Sequence, residues 1–137
     1  MKTNKEKREF ANQVAKKVAR ILGLKQVPRC HRITRRRGRG GVRNQFSIPG
    51  WAFEGHEAFS IYYIAHEVAH FVSLAHDSRF HAAEQAALQP FGFRIVYEKD
   101  GAGPYAAAIK DESGKVLCDE FGRVLDNPAT SATLTPA

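Results

Sequence analysis

The stretch that most constrains this chain runs from about Glu57 to Leu74. It is apolar on nearly every side, through Phe59, Tyr62, Tyr63, Ile64, Val68, Phe71 and Val72, yet it carries His66, Glu67 and His70. Apolarity all round a helix implies burial. Imidazoles buried there are costly unless they are hydrogen-bonded or hold a ligand, so the choice is between two satisfied core histidines and a metal site. The spacing favours the metal. Residues i and i+4 share a helical face about one turn apart, so His66 and His70 offer nitrogens to one ion with Glu67 beside it.

The layout His-Glu-x-x-His is that of a zinc hydrolase. Zinc takes three protein ligands and lowers the pKa of a fourth, water, from about 15.7 to about 7, within reach of an adjacent carboxylate. A third ligand is therefore required, and His76, Asp77, His81 and Glu84 are within range in sequence. On an unbroken helix His76 would lie roughly 240° around from His70, facing away. Asp77 would share the face but sit about 10 Å further along the axis. A chain that turns near Ser73 to Ala75 and folds back presents His76 instead, with Asp77 or Ser78 capping a returning helix from Arg79 to Leu88. His76 is the expected ligand and Glu84 the second choice. His81, one turn from Ser78 on the returning helix, is a less favoured candidate, either to support a ligand from behind or to replace one.

With those residues in view, the chain resembles the small SprT-like and WLM (YgjP-type) zincin metallopeptidases. The resemblance rests on Ile33-Thr34-Arg35, Phe46-Ser47-Ile48-Pro49, His66-Glu67-x-x-His70 and His76-Asp77-Ser78-Arg79-Phe80, in that order, over residues 30 to 88. It implies zinc ligation by His66, His70 and His76, one zinc per chain, and Glu67 as general base in peptide-bond hydrolysis. One departure stands out. Members of the YgjP type carry Trp-Gly-Ser-Cys after the Arg, whereas this chain has Arg36-Arg37-Gly38-Arg39-Gly40-Gly41, so substrate preference does not transfer. The spacing also matches metzincins, but Ser73 replaces their turn Gly and no internal Met supplies their Met-turn.

The basic balance is concentrated. The net charge is +7, and Arg29, Arg32, Arg35, Arg36, Arg37, Arg39 and Arg43 supply all of it, because the remaining Lys and Arg equal the 14 acids. A loop this basic beside an active-site helix reads as a surface for an anionic partner, with DNA or RNA the implied class and Arg35, Arg36, Arg37, Arg39 and Arg43 the contacts. The partner reading is thus a protein or peptide substrate, with nucleic acid through the hairpin and no membrane. A nucleic-acid-binding protein with a structural or vestigial metal is the rival from another class. A metal-dependent hydrolase of a non-peptide bond is a third.

At 137 residues and 43% hydrophobic content, the chain is long enough for one domain with one core. Cys30 and Cys118 are too few for a disulfide framework and read as free thiols in a reducing compartment. No signal-like core and no stretch of about 20 apolar residues occurs, which gives a cytoplasmic expectation.

The expected architecture is α+β and zincin-like. Thr3-x-x-Glu6 is a capping box for a helix over about residues 4 to 22, with Phe10, Val14, Val18, Ile21 and Leu22 inward and Gly23 ending it. Cys30 to Arg35 and Arg43 to Pro49 read as two strands of a hairpin whose flexible tip holds Gly38, Gly40 and Gly41. Asn44 to Ile48 is either an edge strand that pairs with an extended substrate or a strand that pairs internally. After the active and returning helices, Pro90 stops the helical region. Residues 93–98, 104–110 and 115–119 then form a small antiparallel sheet with turns at Asp100-Gly101 and Glu112-Ser113-Gly114. The domain is expected over residues 1–126 and a disordered tail over 127–137. His31 and His56 read as surface residues. Oxyanion donors stay open among Tyr62, Tyr63, Arg79, Tyr97 and Tyr105.

Overall fold

In the computed structural model, which describes residues 2–125, helix α1 (Asn4–Leu22) begins and ends where its cap residues dictate. The Thr3 hydroxyl accepts the Glu6 N–H at 3.1 Å, and the Glu6 carboxylate accepts the Thr3 N–H at 2.8 Å. Gly23 adopts φ 70°, and the Leu24 N–H returns to the Ala19 carbonyl at 2.9 Å, closing the last turn. The buried stripe is Ala11, Val14, Ala15, Val18 and Ala19. Small residues form its centre, while Phe10 and Leu22 pack at its margins. The expected tail at 127–137 lies outside the described residues.

The first sheet differs from the expected hairpin. Strands β1 (Arg29–Thr34), β2 (Arg39–Val42) and β3 (Gln45–Pro49) lie in the order β1-β3-β2. β1 and β3 run parallel, with Cys30 opposite Phe46 and Ile33 opposite Ile48. The reason is two reversals instead of one. The chain turns back once between Thr34 and Arg39 and again at Arg43-Asn44, whose φ values of 53° and 56° are those a two-residue hairpin turn requires. β3 is therefore central, and β2 is the edge strand. On the other edge Asn12 of α1 closes β1, its carboxamide oxygen accepting the Cys30 N–H at 2.8 Å.

Gly38, Gly40 and Gly41 are not a flexible tip. They let β2 lie directly on the next helix. A Cβ on Gly40 would come within 2.2 Å of the Glu67 carbonyl oxygen, and one on Gly38 within 2.9 Å of the Glu67 carboxylate. Gly41, at φ 85°, also occupies the irregular step in the β2–β3 register.

Helix α2 (Glu57–Ala69) is the central element, touching α1, the first sheet and the following helix. Its N-cap is His56, whose Nδ1 accepts the Ala58 N–H at 2.9 Å, so the half-buried His56 is a structural cap and not a free surface residue. His31 is exposed as expected. α2 ends at Ala69, about five residues before the anticipated Leu74. Helix α3 (Ser78–Leu88) follows, capped by Asp77, which accepts the Phe80 N–H at 2.9 Å. A short 3-10 turn containing Pro90 stops the helical region as expected.

The second sheet matches its expected antiparallel form, with β4 (Phe93–Asp100), β5 (Gly103–Asp111) and β6 (Val116–Asp119) in sequence order. Gln85 of α3 bonds both main-chain groups of Ile95, at 2.8 and 3.1 Å, fixing the outer edge of β4 to the helix. Among the described residues the fold is thus α+β, with three α-helices and two small sheets, and no helix there is long and apolar enough to cross a membrane.

The seating of β2 on α2 has a direct test. Gly40→Ala forces a methyl group into the α2 backbone, and overpacking of this kind costs about 1–3 kcal/mol. Urea unfolding is expected to show that loss for Gly40→Ala and little change for Gly101→Ala, where a Cβ meets open space. Equal stability of the two variants would contradict the close approach.

Candidate metal centre

The end of α2 presents His66 from its last turn and His70 from the residue that caps it, and the chain after it brings back a third imidazole. Hydrogen bonds inside the turn explain the return. The Phe71 and Val72 N–H groups bond three residues back, to the Val68 and Ala69 carbonyls at 3.0 and 2.9 Å, and the Ser73 hydroxyl donates to the Asp77 carboxylate at 2.9 Å. Short polar side chains of this type draw the backbone out of a helix. His76 then lies with its Nε2 3.2 Å from Nε2 of His70. One donor atom from each of His66, His70 and His76 falls within 4.8 Å of the others.

The tautomers of two of the rings follow from their partners. Nδ1 of His66 lies 2.6 Å from the Glu84 carboxylate, and Nδ1 of His70 lies 3.2 Å from the Ser73 carbonyl. Both partners accept in these contacts, so both Nδ1 atoms carry a hydrogen, and in the neutral rings both Nε2 lone pairs are left bare. Bare lone pairs crowded into one space are poorly matched to each other and well matched to a divalent cation. Tetrahedral zinc with bonds of about 2.0–2.1 Å sets its nitrogens about 3.3 Å apart, close to the 3.2 Å between those of His70 and His76. Three imidazoles with Nδ1 of two of them held from behind are the donor set that zinc favours.

Glu84 is not a ligand candidate at all in this arrangement. It is 1% exposed, and its second oxygen accepts the Tyr97 hydroxyl at 2.9 Å. The same hydroxyl reaches the His81 carbonyl at 3.1 Å. His81 thus contributes its backbone, while its ring packs on Tyr97 and stays out of the triad. Phe80 is the floor of the site. Its ring stacks on His70 at 4.5 Å and meets His66 and His76 edge-on, each at 4.9 Å.

Electrostatics separate the groups. Burial opposes the charged form of His66, but the hydrogen bond and charge of Glu84 outweigh it and raise the ring's pKa. Burial, followed by the charge of His66, lowers the pKa of His70 and of His76, keeping both neutral and able to ligate. Burial pushes the carboxyl of Glu67 up to about 7, with His66 opposing and Glu84 assisting. A carboxyl with a pKa near neutrality is suited to both taking and giving a proton. Burial, reinforced by Glu84, also holds the Tyr97 phenol well above its usual range.

An open cavity of about 1020 Å³ contains the three histidines, Glu67 and Tyr63. Of the five residues considered as oxyanion donors, Tyr63 lines this cleft. Its hydroxyl accepts the Gly38 N–H at 3.1 Å, leaving its own proton free to donate. Tyr62 is packed between Phe59 and His66, Tyr97 is committed to Glu84, and Tyr105 faces Glu98. Arg79 is exposed on α3 and does not line the cleft.

The arginines divide between two neighbouring surfaces. Arg37, Arg39 and Arg43, joined by Arg32, line the same cavity as the histidines. Arg35 and Arg36 line an adjacent groove shared with Arg37. All five candidate contacts are exposed, and among the described residues none of them is ion-paired. Comparison of the chain with protein-family models, with curated proteins and with solved structures gives no match.

Sequence spacing alone missed the part played by Glu84. The only available sign was a lone carboxylate on the inward face of the returning helix, equally readable as a ligand. Its position behind His66 predicts that Glu84→Gln weakens zinc binding by about 10- to 100-fold without abolishing it. Competition with a chromophoric chelator measures this, and unchanged affinity would remove Glu84 from the site.

Proposed function

We propose that this protein is a zinc-dependent metallopeptidase of the zincin type, similar to the SprT-like and WLM enzymes. The observation that carries the reading is the convergence of three imidazoles, within 4.8 Å of one another, beside a buried carboxylate on an open cleft. His66, His70 and His76 would hold the ion. Zinc, when bound, supplies Lewis-acid polarisation of a carbonyl and acidifies water from about 15.7 to about 7.

The chain's own groups supply the remainder. Glu67 accepts the proton of the attacking water and returns it to the departing amine, a shuttle its raised pKa suits. Tyr63 donates its hydroxyl proton to the carbonyl oxygen as negative charge develops there. The outer edge of β2, which no other strand pairs among the described residues, aligns an extended substrate beside Glu67. That role, considered for Asn44 to Ile48, passes to β2 because β3 is flanked on both sides.

The unpaired arginines support a second reading, a nucleic-acid-binding protein with a structural metal. Its signature is oligonucleotide binding that weakens steeply with salt.

Glu67→Gln separates metal binding from chemistry. The variant is expected to retain about one zinc per chain while peptide hydrolysis falls by at least about 100-fold. Elemental analysis and a fluorogenic peptide assay, with and without chelator, check both halves. Undiminished hydrolysis by the variant would remove the assigned base.

A further inference from the structure

The cleft of the metal centre and a second groove adjoin at Arg32, Thr34 and Arg37, which line both. The first carries Arg37, Arg39 and Arg43 around the histidines. The second, of about 700 Å³, continues past Arg35 and Arg36 to Lys7 at the start of α1. Across both surfaces the acidic side chains are Glu67, assigned to the chemistry, and Glu54 in the second groove. The loop that carries the guanidinium groups is held in place. The Trp51 indole N–H donates to the Arg36 carbonyl at 2.7 Å, and the Thr34 hydroxyl donates to the Arg37 carbonyl at 2.7 Å.

We propose that the two grooves form one cationic track for an extended acidic polypeptide, whose carboxylates are held on either side of the metal centre. This rests on the peptidase reading and names its substrate class. Planar guanidinium groups pair with carboxylates in a two-pronged geometry, and several in series select a run of them. The walls between the arginines argue for a polypeptide over a nucleic acid. Val42 and Leu74, 52% and 68% exposed, line the metal cleft and offer aliphatic contact to side chains. Base binding relies on aromatic platforms. Here the Trp51 ring is packed against Phe59 and Tyr63, the Tyr63 hydroxyl is bonded to Gly38, and Phe46 is buried. The edge of β2 adds main-chain pairing, which a nucleic acid lacks.

Binding to the zinc-loaded Glu67→Gln protein, measured by fluorescence anisotropy, tests the track without requiring turnover. A glutamate-rich peptide of about twelve residues, roughly 40 Å when extended, is expected to bind at least about tenfold tighter than its glutamine counterpart. The combined Arg37→Gln, Arg39→Gln and Arg43→Gln variant is expected to lose that preference. The Arg35→Gln, Arg36→Gln pair is expected to reduce it for the long peptide but not for one of about five residues. Circular dichroism and zinc content verify that the variants fold. Equal affinity of the parent protein for the two peptides overturns the proposal. So does a single-stranded oligonucleotide that binds more tightly than the acidic peptide and is released by the same substitutions. Acidic preference without cleavage by the wild-type protein would leave the track standing and remove the peptidase reading.

Discussion

One buried carboxylate ties together the elements that make the site. Glu84 accepts from His66 of α2 at 2.6 Å and from Tyr97 of β4 at 2.9 Å, while sitting on α3. A carboxylate at 1% exposure is tolerated only when its oxygens are satisfied. The two donors come from elements far apart in sequence, so the pair forms only when α2, α3 and the second sheet are all in position. The same contact sets the tautomer of His66 and thereby aims Nε2 at the other rings. Stability and site geometry are here consequences of a single arrangement.

A second constraint acts from the opposite side. From Arg37 to Gly40, side chains that face solvent alternate with glycines that face α2, the period of an extended chain, and Gly41 breaks the alternation at the register irregularity. The glycines permit backbone contact with the helix at Glu67. The arginines between them are thereby carried to the rim of the cleft. Close packing and positive charge thus share one short strand, so a substitution at a glycine would displace the charges as well.

The sequence made the centre legible because helical periodicity is local. His66 and His70 at i and i+4, the cap at Asp77 and the return of His76 all follow from short-range geometry, and the structure brings these residues together. The helix termini near Thr3 and Gly23 and the β4–β5–β6 meander were readable for the same reason. The first sheet was not. Its strands pair non-locally, and glycines that permit a flexible turn are indistinguishable in sequence from glycines that permit close packing. The positive φ of Arg43 and Asn44, where no glycine marks the reversal, hid the true turn. Glu84 and Tyr97 were likewise beyond reach, because a carboxylate's role as ligand or as orienting partner depends on distances of an ångström or two between separate elements.

The account stands on His66, His70 and His76 ligating one ion through Nε2. X-ray absorption spectroscopy of the zinc-loaded protein measures this most directly. It is expected to give three imidazole nitrogens and one further light atom at about 2.0–2.1 Å. A spectrum with fewer than three imidazoles, or with a sulfur at about 2.3 Å, would contradict it.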